Sequence, residues 1–212
     1  MRKSNLVHIT TVLIASALLF TTQAMATDLV IGEPAYGGTG CPAGTASITL
    51  SPDQQALSIL FDQYVVEAGF NVGKRVDRKS CNVAIPVTVP QGYSIAIFQM
   101  DYRGFNSLPY GASSQFNIEY FFAGSRGPRY SKRFVGNINQ DFIITNNLIA
   151  ESLVWTPCGA PVTLRANTSM MVQTNGRGEQ ALSTIDSMDL QSGVIYHIQW
   201  KRCGGGYGFN HL

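Results

Sequence analysis

The chain has 212 residues, with 15 lysines and arginines against 13 acidic residues. This near-neutral balance excludes nucleic acid as an expected partner, because phosphate binding needs a clear excess of positive charge. Only 13% of the residues are charged while 21 are glycine, which is typical of a secreted β-protein rather than of a helical enzyme. The length suits one domain that can bury a full core.

The N-terminus has the pattern of a secretory leader. Arg2 and Lys3 precede an apolar run over 6–20, and the small-x-small sequence Ala-Met-Ala follows. We therefore predict a signal peptide at 1–26 and a secreted domain, extracellular or periplasmic, at 27–212; a retained N-terminal anchor is the alternative. No later stretch is apolar enough to span a bilayer. Without Arg2 and Lys3, the remaining 13 positive residues balance the 13 acidic ones.

Alternation of apolar and polar residues recurs along the predicted domain. It predicts half-buried strands over 46–50, 57–61, 83–89, 115–122 and 194–200. With the intervening segments this gives roughly eight to ten strands at sandwich-like spacing. We expect an all-β fold, a single antiparallel β-sandwich, and leave Greek-key and jelly-roll topologies open. Asn175-Gly176 predicts a two-residue hairpin, because both positions tolerate positive φ.

In the stretch 93–102, both the odd-numbered and the even-numbered positions are largely apolar. Because these point to opposite faces of a strand, we predict a central strand that is covered on both faces. The stretch ends with Asp101 and Tyr102, and Arg103 and Gly104 follow it. Asp101 and Arg103 leave the same face of an extended strand. We expect them to close the end of this strand through an ion pair or hydrogen bonds, with Gly104 permitting a turn. The alternative is a ligand clamp formed by Asp101 and Arg103.

Positive charge is concentrated in two segments that we expect to form loops. Their cations are Lys74, Arg75, Arg78 and Lys79 in the first, and Arg126, Arg129, Lys132 and Arg133 in the second. One interpretation is solvated charge that keeps hairpin edges soluble. The other is an anion-binding rim for an acidic polysaccharide, an anionic envelope surface or an acidic partner protein. Tyr130, beside Arg129, suits such a rim.

The predicted mature domain contains four cysteines, Cys41, Cys81, Cys158 and Cys203. An even count in an exported chain predicts two disulfides, although spacing alone does not choose among the three possible pairings. We expect Cys41–Cys81 and Cys158–Cys203, which would staple each half of the domain separately. No CxxC or CxxH pair is present, so we predict no metal site. Two disulfides would also leave no reduced cysteine as a nucleophile.

Catalytic side chains are scarce. The predicted mature domain has only two histidines, His197 and His211, and no GxSxG sequence, so a serine triad is not expected. We interpret His197 as an exposed strand residue. A carboxylate pair for glycoside hydrolysis remains the enzyme alternative; the acids considered are Asp101, Glu119, Asp141, Glu151, Asp186 and Asp189. The last two are more typical of a strand end than of a calcium site.

Four segments together resemble a known family. They are GTGCPAGTASITLSPDQQALSILFD at 38–62, RKSCNVAIPVTVPQGYSIAIFQMDYRG at 78–104, VWTPCG at 154–159 and HIQWKRC at 197–203. In this order they resemble a family of small secreted four-cysteine proteins catalogued as a domain of unknown function, number 4360 in that series. The resemblance implies export, two disulfides and one β-rich domain. It implies no activity and no catalytic residues.

The sequence therefore favours a secreted, non-catalytic binding or surface-interaction module. The ligands considered are an acidic glycan, an envelope surface or a partner protein, and no cofactor is expected. A polysaccharide-acting hydrolase and a secreted effector or inhibitor are the alternatives.

Overall fold

The computed structural model describes residues 28–122, 124, 127–185 and 193–204. Thirteen β-strands run through these residues, whose only helical structure is two single 3₁₀ turns, Phe70–Val72 and Ala150–Ser152. No helix in this part of the chain is long and apolar enough to cross a membrane. The predicted leader at 1–26 lies outside the described residues.

Six strands form the first sheet. They are β1 Val30–Ile31, β2 Ala35–Gly37, β6 Val76–Thr88, β8 Ser113–Phe122, β9 Arg129–Val135 and β11 Pro161–Gln173. Their order is β1-β6-β11-β8-β9, with β2 also paired to β6, and every pairing is antiparallel. Side chains along β6, β8 and β11 alternate between buried and more accessible positions. One face of this sheet therefore belongs to the core and the other faces solvent.

Seven strands form the second sheet. They are β3 Ala46–Leu50, β4 Ala56–Phe61, β5 Val65–Ala68, β7 Tyr93–Leu108, β10 Ile138–Asn147, β12 Ala181–Thr184 and β13 Val194–Arg202. Their order is β3-β4-β13-β7-β12-β5, and β10 also pairs with β7. The chain crosses from one sheet to the other at most connections after β5. The predicted antiparallel sandwich is confirmed, and its long central strand is β7.

Tyrosine side chains fill much of the space between the sheets. Tyr64, which follows β4, is fully buried, and its hydroxyl lies 3.0 Å from that of Thr168 on β11. Burial raises the pKa of Tyr64 to about 12. Tyr102 of β7 stacks on Tyr130 of β9 with ring centroids 6.0 Å apart. These contacts tie the sheets together, and burying each such side chain contributes about 1.5–3 kcal/mol.

The two disulfides are Cys41–Cys81 and Cys158–Cys203, as predicted. Cys41 lies between β2 of the first sheet and β3 of the second, and it joins Cys81 on β6. Cys158 precedes β11 of the first sheet and joins Cys203, just after β13 of the second. Each bridge therefore anchors a segment where the chain passes between the sheets.

The predicted end of the central strand at Arg103 is wrong. β7 continues through Gly104 to Leu108, and Gly104 is an ordinary extended residue. A Cβ at this position would lie 2.0 Å from the Thr184 carbonyl oxygen and 2.7 Å from the Phe142 ring. Gly104 is therefore required for close packing inside the sheet and not for a turn.

The hairpin predicted at Asn175-Gly176 is also wrong. A turn does occur there, with the Gly178 N–H donating to the Asn175 carbonyl at 3.0 Å. The strands on its two sides, β11 and β12, belong to different sheets. The left-handed residue is Gly178, with φ of 68°. The turn therefore connects the two sheets and does not join two paired strands of one hairpin.

Candidate binding face

The solvent face of the first sheet carries three rows of side chains across β6, β11, β8 and β9. Strand register places outward residues of the four strands side by side. The rows are Asn82–Asn167–Glu119–Arg129, Ser80–Ser169–Asn117–Ser131 and Arg78–Met171–Gln115–Arg133. We call these twelve residues the polar ladder, in which Met171 is the apolar member.

Hydrogen bonds hold the middle of the polar ladder in a fixed arrangement. The Asn117 side-chain oxygen accepts from Gln115 Nε2 at 3.0 Å and from Ser131 Oγ at 2.8 Å. Its Nδ2 donates to Ser169 Oγ at 3.2 Å, and Arg78 Nη2 reaches the same hydroxyl at 3.5 Å. Donors and acceptors aligned before a ligand arrives lose less side-chain entropy on binding.

The polar ladder is positively charged. Its cations are Arg78, Arg129 and Arg133, and its one carboxylate is Glu119. Arg129 Nε lies 3.0 Å from Glu119 Oε1, yet the Arg129 side chain is 78% exposed. An exposed pair of this kind is weak, because water competes for both groups. A ligand carboxylate could therefore take the place of Glu119.

A depression of about 540 Å³ lies over the polar ladder. Its lining includes ladder residues from all four strands, among them Arg78, Asn82, Asn117, Arg129 and Asn167. Binding sites for small organic ligands usually have volumes of about 300–1,000 Å³. The depression therefore has room for part of a polar chain molecule.

The prediction that both basic segments form loops is wrong for most of their residues. Arg78 and Lys79 lie on β6, and Arg129, Lys132 and Arg133 lie on β9. Only Arg78, Arg129 and Arg133 of these point to the face of the polar ladder, because Lys79 and Lys132 have the opposite strand parity. Fewer cations therefore share one surface than their closeness in the sequence predicts.

The other members of the predicted rim are not part of the polar ladder. Lys74 and Arg75 precede β6, where Lys74 Nζ pairs with Asp77 Oδ1 at 2.9 Å. Tyr130 is partly buried and stacks on Tyr102, and it also lines the depression over the polar ladder. Arg126 lies outside the described residues.

Asp101 and His197 form a second polar cluster, on the outer face of the second sheet. His197 Nε2 lies 2.8 Å from Asp101 Oδ2, and Thr145 Oγ1 donates to Asp101 Oδ1 at 2.6 Å. The interpretation of His197 as a simply exposed residue is therefore wrong, since it is half-buried and bonded. Within the described residues, His197 makes no hydrogen bond to a serine, threonine or cysteine, so no hydroxyl or thiol is paired with it as a nucleophile would be with its base.

Arg103 does not pair with Asp101 as predicted. Asp101 is bound by β10 and β13 side chains, while the buried Nε of Arg103 has no hydrogen-bond partner among the described residues. Asp101 and Arg103 lie on the second sheet, and the polar ladder lies on the first. A clamp made by Asp101 and Arg103 stays a prediction that is separate from the polar ladder.

Acid should weaken the fold through Asp101. Partial burial acts to raise the pKa of Asp101, but hydrogen bonds from Thr145, His197 and Gln99 outweigh it and hold the pKa below its ordinary value. The resulting stabilisation is complete above the unfolded pKa, about 3.9, and disappears as pH falls through the lower folded pKa. We expect Asp101→Asn to be less stable than wild type near neutrality but to lose less stability between about pH 4 and pH 2. Thermal unfolding across that range measures the difference, and parallel curves would contradict it.

The carboxylates of the hydrolase alternative do not gather in the depression. Among the described residues that line it, Glu119 is the one acid, and it is paired with Arg129. Asp141 lies on β10 of the second sheet. Asp186 and Asp189 lie outside the described residues. Hydrolysis by two opposed carboxylates therefore has no support on this face.

These features define a secreted, disulfide-stabilised β-sandwich with a polar, cationic sheet face. Residues 27–203 match the family described as a domain of unknown function (DUF4360), and the chain belongs to that family. An uncharacterized secreted protein of Arthroderma benhamiae is 37% identical over 169 residues, covering 79% of this chain and 69% of the relative. The predicted family and secretion are thereby confirmed.

Among solved structures, this chain matches the carbohydrate-binding module TmCBM61 in complex with β-1,4-galactotriose. The match covers 80% of this chain and 88% of that module, with 9% identity and a TM-score of 0.27. At that score the strands do not superpose well enough to transfer ligand contacts, and the function must be argued from the side chains of this chain.

Proposed function

We propose that this protein is a secreted, non-catalytic module that binds acidic polysaccharide on the polar ladder. The observation that carries the proposal is the combination of three arginines with hydrogen-bonded amides and hydroxyls on one accessible sheet face. Arginine binds carboxylates through several parallel N–H donors. Asparagine, glutamine and serine side chains both donate to and accept from sugar hydroxyls.

The arrangement of charges on the polar ladder favours an acidic over a neutral chain. The arginines lie at the margins of the ladder, on β6 and β9, while its centre on β11 and β8 is mostly amide and hydroxyl. A polymer that covers the ladder would present carboxylates to both margins and hydroxyls to the centre. Charge contacts at both margins strengthen the attraction between the polymer and the ladder, and they fix the orientation of the polymer without a deep pocket.

The proposal is tested by measuring affinity of the purified mature protein for polygalacturonate and for a neutral galactan over a salt series. We expect binding to polygalacturonate that weakens as salt shortens the Debye length from about 30 Å at 0.01 M to about 8 Å at 0.15 M. The neutral galactan should bind more weakly and with little dependence on salt. Failure to bind polygalacturonate even at the lowest salt would overturn the proposal.

Replacing Glu119 with glutamine should strengthen binding to polygalacturonate. The change removes the carboxylate that competes for Arg129 while keeping a side chain of the same shape. We expect affinity to rise about two- to fivefold, as for an exposed ion pair. Isothermal titration measures this, with Glu67→Gln as a control, since Glu67 lies on β5 away from the ladder. An unchanged or lower affinity of the Glu119→Gln variant would contradict competition between Glu119 and the ligand for Arg129.

A further inference from the structure

The solvent face of the first sheet continues beyond the polar ladder along β11. Outward positions on this strand run from Ser169 and Asn167 through Arg165 and Thr163 to Pro161. The eight residue steps from Ser169 to Pro161 span about 26 Å at roughly 3.3 Å per residue. We call this line of outward positions the β11 track, which leads from the polar ladder towards the far end of the sheet.

Arg165 stands in the middle of this track. It is exposed, and strand register places it between Ala84 of β6 and Phe121 of β8. Neither neighbour has a side chain that can accept a hydrogen bond or carry a negative charge. Arg165 takes part in none of the ion pairs formed among the described residues. Its charge is thus available to a ligand on the face of the first sheet.

A second depression, of about 580 Å³, lies at the far end of the track. Thr163 and Pro161 of β11 line it together with Thr88 of β6 and the partly buried Trp155. An aromatic ring beside hydroxyl groups suits a sugar, whose ring has apolar C–H faces and a polar rim. This depression differs from the polar ladder in offering an aromatic surface.

Trp155 is held in place on several sides. Its neighbour Thr156 accepts from the Ile95 N–H at 3.0 Å and donates its own N–H to the Ile95 carbonyl at 2.9 Å. The Cys158–Cys203 disulfide fixes the same segment two residues later. Lys201 Nζ lies 4.4 Å from the centre of the Trp155 ring. A ring fixed in this way binds with little loss of side-chain entropy.

We propose that Arg165 and Trp155 extend the polysaccharide site, so that one acidic chain runs along β11 from the polar ladder to the Trp155 depression. This inference rests on the proposed function, since the same polymer occupies both ends. Arg165 binds a carboxylate midway, and Trp155 stacks against a sugar ring at the end. The site therefore recognises long acidic chains in preference to short ones.

The test compares galacturonate trimers and decamers on wild type and Trp155→Ala. We expect the decamer to bind wild type more tightly than the trimer, and the variant to weaken the decamer about tenfold while changing the trimer less than about twofold. Phe98→Ala is the matched control, because Phe98 is an exposed aromatic residue on the second sheet. It should change neither affinity.

Tryptophan fluorescence gives a second readout. The chain has two tryptophans, so Trp200→Phe leaves Trp155 as the only emitter, and the decamer should change its emission. Equal affinities for both lengths, no effect of Trp155→Ala, or decamer binding without an emission change would overturn the extended site while leaving the proposed function standing. Absence of binding for both oligomers would instead overturn the proposed function itself.

Discussion

Replacing Cys41 and Cys81 together with alanine is expected to lower the free energy of unfolding by about 4 kcal/mol, because the bridge closes a long loop in the unfolded chain. The two cysteines are 40 residues apart and both are fully buried. Loss of the buried sulfurs adds a cavity to the entropic term. For a domain of this size the melting temperature should fall by about 8–16 °C. Thermal unfolding followed by circular dichroism measures both quantities.

The matched control is the same replacement at Cys158 and Cys203. Their separation of 45 residues gives a similar loop, but Cys158 is exposed and its loss opens no cavity in the core. We expect a smaller loss of stability than for Cys41 and Cys81, together with weaker binding of long acidic chains through displacement of Trp155. A larger loss of stability from the Cys158–Cys203 pair would contradict this account of the core.

Replacing Arg78, Arg129 and Arg133 together with glutamine should reduce affinity for polygalacturonate by about threefold to 150-fold. Each exposed arginine is expected to contribute about 0.2–1 kcal/mol, and the three act on one polymer. The fold should be unaffected, because Arg78, Arg129 and Arg133 are all exposed. Isothermal titration at low salt measures the affinity, and the remaining binding should depend less on salt.

A triple variant with the same change of charge provides the control. Lys74, Arg75 and Arg177 are exposed and lie off the polar ladder, in the connections before β6 and after β11. Their replacement with glutamine should weaken binding only slightly, through the lower net charge. Equal losses in the two triple variants would mean that attraction is nonspecific, and the polar ladder would then not be the site.

Much of the fold follows from local patterns in the sequence. Alternation locates β3, β4, β8 and β13, because one face of each strand is buried and the other is not. The number of disulfides is also predictable from export and an even count of cysteines, although three pairings then remain possible. Alternation does not predict β9, because it is an edge strand in which only Tyr130 and Phe134 pack against the core. Its many charges therefore resemble those of a loop.

The three arginines of the candidate site belong to the predicted rim, but its amides and hydroxyls could not be predicted from sequence because strand register brings them together. Ser80, Ser169, Asn117 and Ser131 form one row although they come from four separate strands. Polar residues at such positions are ordinary in each strand taken alone. These residues form one surface only because β11 lies between β6 and β8, and no local sequence pattern encodes that long-range arrangement.

The same reason explains the error at Asp101. Local spacing pairs the carboxylate with Arg103, two residues away, whereas its partners in the structure are His197 on β13 and Thr145 on β10. Local spacing shows which side chains share a face, but pairing across strands decides which of them meet. Gly104 was misassigned for a related reason, because the Thr184 carbonyl that excludes a side chain there comes from β12.

The most direct test of the central claim is an NMR titration of the isotope-labelled mature protein with galacturonate decamer. The account predicts chemical-shift changes along the outward residues of β6, β8, β9 and β11, centred on Asn117 and Asn167 and reaching Trp155. The amides around Asp101 and His197 on the opposite sheet should stay unchanged. Chemical-shift changes concentrated at Asp101 and His197, with none on the polar ladder, would contradict this account.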